Sequence, residues 1–122
     1  MRSQFIILNL HLQYRLWIAE LNFLVDEIRI LKDYFQELVS YLEKDPLLTI
    51  NASLTNLRED IDALRNEMHL DKMELASRLK HNTVDQPWNN QRTESFREQH
   101  DNIKKTFTGI RQRIESLTTQ PI

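Results

Sequence analysis

Hydrophobic residues recur along this chain at alternating steps of four and three. The first series is Leu10, Tyr14, Trp17, Leu21, Leu24, Ile28, Leu31, Phe35, Leu38 and Leu42. It has no miss, which is the heptad signature of a helix packed along its length. More apolar residues flank this seam, with Leu16, Phe23 and Ile30 on one side and Ile18, Val25 and Val39 on the other. A face that wide predicts two or more neighbouring helices rather than a single coiled-coil partner. The helix is expected to cover about 4–44 and to stop before Asp45-Pro46, since the residue preceding proline disfavours helix.

A linker, DPLLTIN, is read next, with Thr49, Asn51 or Ser53 as N-cap of a second helix over about 52–82. Its seam runs Leu54, Leu57, Ile61, Leu64, Met68, Asp71, Leu75. The apolar pattern breaks at Asp71 and again at Arg78, and Leu70, Met73 and Leu79 suggest that the buried face drifts there. HNTVDQPWNN, residues 81–90, forms the second turn, with Thr83 or Asp85 as candidate cap. A third helix over about 88–118 carries Phe96, His100, Ile103, Phe107, Ile110, Ile114 and Leu117 in unbroken register. Gly109 inside it weakens it by roughly 1 kcal/mol relative to alanine.

These elements predict a single all-α domain over 1–122, an antiparallel three-helix bundle with the N-terminal helix longest. One glycine, three prolines and 28 % charged residues point the same way, because they leave few turn residues for a sheet. Residues 4–45 hold four basic and seven acidic side chains, whereas 88–118 hold six and four, so the third helix is expected beside the first.

The predicted lengths are unequal. A first helix of about 40 residues would extend ~60 Å, against about 30 residues for each of the others. FIILNLHL would then project beyond the body, and uncovered apolar surface calls for a partner, most simply a second copy. The expected self-association residues are Phe5, Ile6, Ile7, Leu8, Leu10, Leu12, Tyr14 and Trp17, in a homodimer.

LHLQYRLWIAELNFLVDEIRILKDYFQELV is similar to the first helix of an uncharacterised family of small all-helical proteins of Bacteroidetes-type bacteria. His11, Trp17, Glu20, Leu21, Phe23, Asp26, Glu27 and Ile28 carry the resemblance. It implies a helical bundle of bacterial origin and no particular activity.

Little in the chain carries chemistry. With no cysteine, disulfide and thiolate chemistry are excluded, which suits a cytoplasmic location. The apolar start is interrupted by Asn9 and His11 and lacks a small-residue cleavage site, so it is not read as a signal peptide. No apolar run is long enough to span a membrane. One glycine allows neither a phosphate-cradling loop nor a nucleophile elbow, and no cofactor is expected. The Glu-x-x-His pairing of carboxylate metal bundles is absent, because Leu70, Asp101 and Ile30 follow three positions after Glu67, Glu98 and Glu27. The remaining metal candidates are Glu20, Glu27, Glu67, Asp71, Glu74 and His100, with His69 nearby. Arg92, Arg97, Lys104, Lys105, Arg111 and Arg113 alternate with acidic residues, a solvated face rather than a nucleic-acid surface. Trp17, Phe23, Tyr34, Phe35, Phe96 and Phe107 read as core rather than as a stacking platform.

The expected function is therefore non-catalytic, acting through protein–protein interaction or self-association. The competing reading is a metal- or ligand-binding bundle using core carboxylates and His100. His100 stands where the third seam wants a hydrophobe, and Asp71 where the second does. Setting Leu54 and Leu117 level with Leu42 puts both polar residues opposite Val25. They are expected to form a buried pair that fixes helix register, with Glu67 or Glu27 as substitute partner and a raised His100 pKa.

Overall fold

The computed structural model describes residues 2–39, 45–83 and 85–118. They form three helices, α1 (Arg2–Val39), α2 (Asp45–Lys80) and α3 (Asn90–Thr118), with no strand among the described residues. The fold is an all-α three-helix bundle.

Three cross-links show that α1 and α2 run antiparallel. Lys32 Nζ donates to Thr55 Oγ1 at 2.7 Å, Arg65 to Asn22 Oδ1 at 2.9 Å, and Gln4 to Asn82 Oδ1 at 3.4 Å. α3 runs parallel to α1, with Thr93 beside Tyr14 and His100 beside Glu20.

The expected start of the second helix is corrected. α2 begins at Asp45, so DPLLTIN is helix rather than linker, and Thr49, Asn51 and Ser53 lie inside it. Pro46 occupies the first turn, where a missing N–H leaves no hydrogen bond unmade and a fixed φ suits the helix. The restriction on the residue before proline then falls on the helix's first residue. Residues 40–44, in which the first helix was expected to end, lie outside the described residues.

With 36 residues, α2 nearly matches the 38 of α1. Its C-terminus therefore reaches Gln4, and FIILNLHL does not overhang. Ile7 is buried in the core. α2 closes with Asn82 in the left-handed region (φ 55°), while Thr83 N–H donates to Arg78 O at 2.9 Å. This is a Schellman-type end, with asparagine at the position that usually takes glycine. α3 is capped by Asn89, whose Oδ1 accepts from Arg92 N–H at 3.2 Å, and not by Thr83 or Asp85.

The core is the set of heptad seams. Tyr14, Trp17, Leu21, Leu24, Ile28 and Phe35 of α1 are buried against Ile50, Leu54, Leu57, Ile61, Leu64, Met68 and Leu75 of α2. Phe96, Ile103, Phe107 and Ile110 of α3 complete it. The seam of α2 holds through Leu75, which is fully buried while Leu70 and Met73 are exposed; of the three residues expected to mark a drift, only Leu79 packs against the core.

Candidate interaction surface and two polar layers

Asp71 and Arg78 break the α2 seam because they hold the end of the bundle through polar contacts. Tyr14, fully buried on α1, donates its hydroxyl to Asp71 Oδ2 at 3.1 Å and lies 3.0 Å from Thr93 Oγ1. Trp88 Nε1–H donates to the same Thr93 oxygen at 2.9 Å. Arg92 Nε reaches both Asp71 oxygens at 3.1 and 3.0 Å. Donors and acceptors thus run in one direction: Trp88 to Thr93, Thr93 to Tyr14, Tyr14 to Asp71, with Arg92 closing on the carboxylate. Arg78 donates to the Gln86 carbonyl at 2.8 Å and lies 5.0 Å from the centre of the Trp88 ring, tying the turn to α2. Burial, offset in part by the Thr93 hydrogen bond and reinforced by the Asp71 charge, pushes the Tyr14 hydroxyl pKa up to about 12. Tyr14 also meets Trp17, Trp88 and Phe96 edge-on at 5.5–6.4 Å.

The expected Asp71–His100 pair does not form. Lys32 lies beside Thr55, so Leu54 stands near the level of Asp33, and Asp71 lands at Tyr14 instead of Val25. That displacement is about three turns, and its source is the extra helix at the start of α2. His100 is buried on α3 and faces Glu20, with Nε2 and Oε2 2.8 Å apart. The ring N–H does not aim along that line, so both atoms are buried without a hydrogen-bond partner. Asp101 lies 3.8 Å from Nδ1, Lys104 lies 3.6 Å from Glu20, and the imidazole tilts against Trp17 at 6.0 Å. Neither Glu67 nor Glu27 takes the partner's place.

The sign of the expected titration is also corrected. Burial lowers the His100 pKa and outweighs Glu20, which raises it, while Lys104 lowers it further. The ring is held neutral.

The metal candidates disperse. Glu20 meets His100, Asp71 belongs to the Tyr14 layer, and Glu74 pairs with Arg78 at 3.3 Å. Glu67 borders the open groove between α2 and α3, Glu27 is half-buried, and His69 is exposed. No three imidazole or carboxylate groups converge among the described residues. Of the basic residues on α3, Arg92, Arg97, Lys104 and Arg111 each face a carboxylate.

The most unusual surface is the outward side of α1. Phe5, Leu8, Leu12, Leu16, Phe23, Ile30 and Tyr34 all lie there, with Phe5 64 %, Phe23 61 % and Ile30 56 % exposed. At about 100° per residue they fall on one stripe, well round the helix from the core seam. Leu16, Phe23 and Ile30, expected to flank the core, belong to this stripe, as do Phe23 and Tyr34 among the aromatics expected inside. Of the expected self-association residues, Phe5, Ile6, Leu8 and Leu12 are exposed and Leu10 is half-buried. Ile7, Tyr14 and Trp17 are corrected: they are core. Tyr14's role as hub with Thr93 was missed by sequence reasoning. The two breaks in the α2 seam beside Trp88 were its only signal.

An all-α three-helix bundle with one long uncovered apolar face is what fold and surface define. No protein-family model, curated protein or solved structure matches the chain.

Proposed function

We propose that this protein is a non-catalytic interaction module whose outward α1 face docks against protein, first of all another copy of itself. The supporting observation is the stripe of seven large, exposed apolar side chains from Phe5 to Tyr34 on a single helix face. Scattered surface hydrophobes need no explanation, but a contiguous stripe of this length does. The layers beneath it support a binding rather than a catalytic role. Tyr14 is satisfied by hydrogen bonds and held protonated, and His100 is flanked by the Glu20 and Asp101 carboxylates. No described helix is long and apolar enough to cross a membrane. The absence of cysteine favours the cytoplasm as the compartment.

Sedimentation velocity at micromolar concentration tests this reading. A species near twice 14.7 kDa is expected, and Phe23→Glu should return it to the monomer with its helical signal intact. A 14.7 kDa wild-type species would overturn self-association. Metal analysis of protein purified without a chelating tag tests the catalytic and metal-binding alternatives, and stoichiometric iron, manganese or zinc would overturn the non-catalytic reading.

A further inference from the structure

Resting on that reading, we propose that α1 pairs with α1 of a second copy in antiparallel fashion, across a two-fold axis passing through Ala19. In such a pair each residue faces the one equally far beyond the axis. Leu12 apart, which stands seven residues from Ala19 and level with Asp26, the outer stripe is close to a palindrome about Ala19. Leu16 and Phe23 stand three and four residues away, Leu8 and Ile30 eleven each, and Phe5 and Tyr34 fourteen and fifteen. Leu16 of one copy therefore faces Phe23 of the other, Leu8 faces Ile30, and Phe5 faces Tyr34. The smallest residue of the stripe sits on the axis, where two helix backbones approach most closely.

Charge selects the same direction. From Ser3 to Ala19, α1 carries Arg15 and no carboxylate, whereas from Glu20 it carries five carboxylates against Arg29 and Lys32. A parallel pair would set the acidic halves together, and the antiparallel pair opposes acidic to basic. Arg15 and Asp26 border the stripe on the same flank. The two-fold axis brings like flanks together, so Arg15 of one copy approaches Asp26 of the other. Asp26 is held only loosely within its own chain, by Arg29 at 3.9 Å.

Shape supplies a third argument. Beside the axis an open cleft of about 400 Å³ lies between α1 and α3, lined by Ala19, Glu20, Phe23, Leu24 and Lys104. Leu16 of the second copy arrives level with residue 22, between Ala19 and Phe23, as a knob for that cleft. The exposed stripe offers seven large apolar side chains, each 41–64 % exposed, to such an interface.

Because the chain has no cysteine, introduced thiols report the geometry without background. Under mild oxidation Ala19→Cys is expected to give mostly disulfide-linked dimer, since facing helix positions can bring the Cα atoms within disulfide reach. Leu8→Cys and Ile30→Cys should each remain uncrosslinked alone and crosslink when mixed. Adding Phe23→Glu to Ala19→Cys should slow its crosslinking at least tenfold, to the rate of an exposed control, Met73→Cys. Self-crosslinking of Leu8→Cys and of Ile30→Cys without the mixed product would overturn the antiparallel arrangement while leaving self-association standing. Crosslinking at Ala19 no faster than at Met73, in a wild-type protein that sediments as a dimer, would likewise overturn this register alone. A wild-type monomer in sedimentation would remove the underlying reading as well.

Discussion

The inner and outer faces of α1 carry apolar stripes of similar length and nearly the same period, yet one is the core and the other faces outward. Tyr14, Leu21 and Ile28 are fully buried; Leu16, Phe23 and Ile30 are each more than half exposed. Side-chain type does not separate them, since both stripes use leucine, isoleucine and aromatics. Neighbours do. α2 and α3 cover one side of α1, and among the described residues no further helix covers the other. Periodicity states where a helix wants contact, and the number of helices states how many contacts one chain supplies.

Substitution separates the two faces most sharply. Leu21→Ala is expected to cost about 2–5 kcal/mol of unfolding free energy, as buried leucine truncations do. Leu16→Ala, compared as monomer in urea unfolding, should stay within about 0.5 kcal/mol. Equal losses at both positions would place Leu16 in the core and dissolve the distinction.

A smaller effect is expected where the inner face is polar. Tyr14→Phe removes the donor to Asp71 and the acceptor for Thr93, at about 1–3 kcal/mol. Asp71→Asn should add to His100→Leu without coupling, because the two residues have different partners in different layers. A double-mutant cycle showing strong coupling would restore the pairing that the structure lacks.

Much of the fold was legible because heptads report themselves. The α1 and α3 seams, the break at Asp71 and the turn near 81–90 all follow from spacing. The start of α2 was hidden by Pro46, which ends one helix and opens another with equal ease. The stagger of α2 against α1 was hidden with it, since a seven-residue repeat fits at any shift of seven and the point where α2 begins sets the choice. That is why His100 found Glu20 and Asp71 found Tyr14. The outer stripe was visible residue by residue. Phe5, Leu8 and Leu12 read as a self-association surface, but Leu16, Phe23, Ile30 and Tyr34 read as core, because sequence carries no record of which flank remains uncovered.

The His100 layer gives the account a pH signature. An ordinary imidazole titrates near 6.5, and burial beside Lys104 lowers this one despite Glu20 and Asp101. Below about 6.5 the unfolded chain takes up a proton that the folded chain resists, so stability falls as pH drops toward the folded value. His100→Leu should flatten that limb in urea unfolding across pH 7 to 5, and an unchanged slope would contradict the buried neutral ring. The mildest effect lies on α3. Beyond its chain neighbours and its own helix backbone, no atom lies within 4 Å of a Cβ added at Gly109, so Gly109→Ala should stabilise the fold by about 1 kcal/mol in thermal unfolding.

Hydroxyl-radical footprinting across a dilution series reads the covering of the outer face residue by residue. At micromolar concentration Leu16, Phe23 and Ile30 should react several-fold more slowly than the exposed controls Leu70 and Met73 when each is compared with its own rate on dilution, and the protection should vanish as the protein is diluted. Rates at Leu16, Phe23 and Ile30 that track those of Leu70 and Met73 at every concentration would contradict an outward face of α1 that is covered by a second copy.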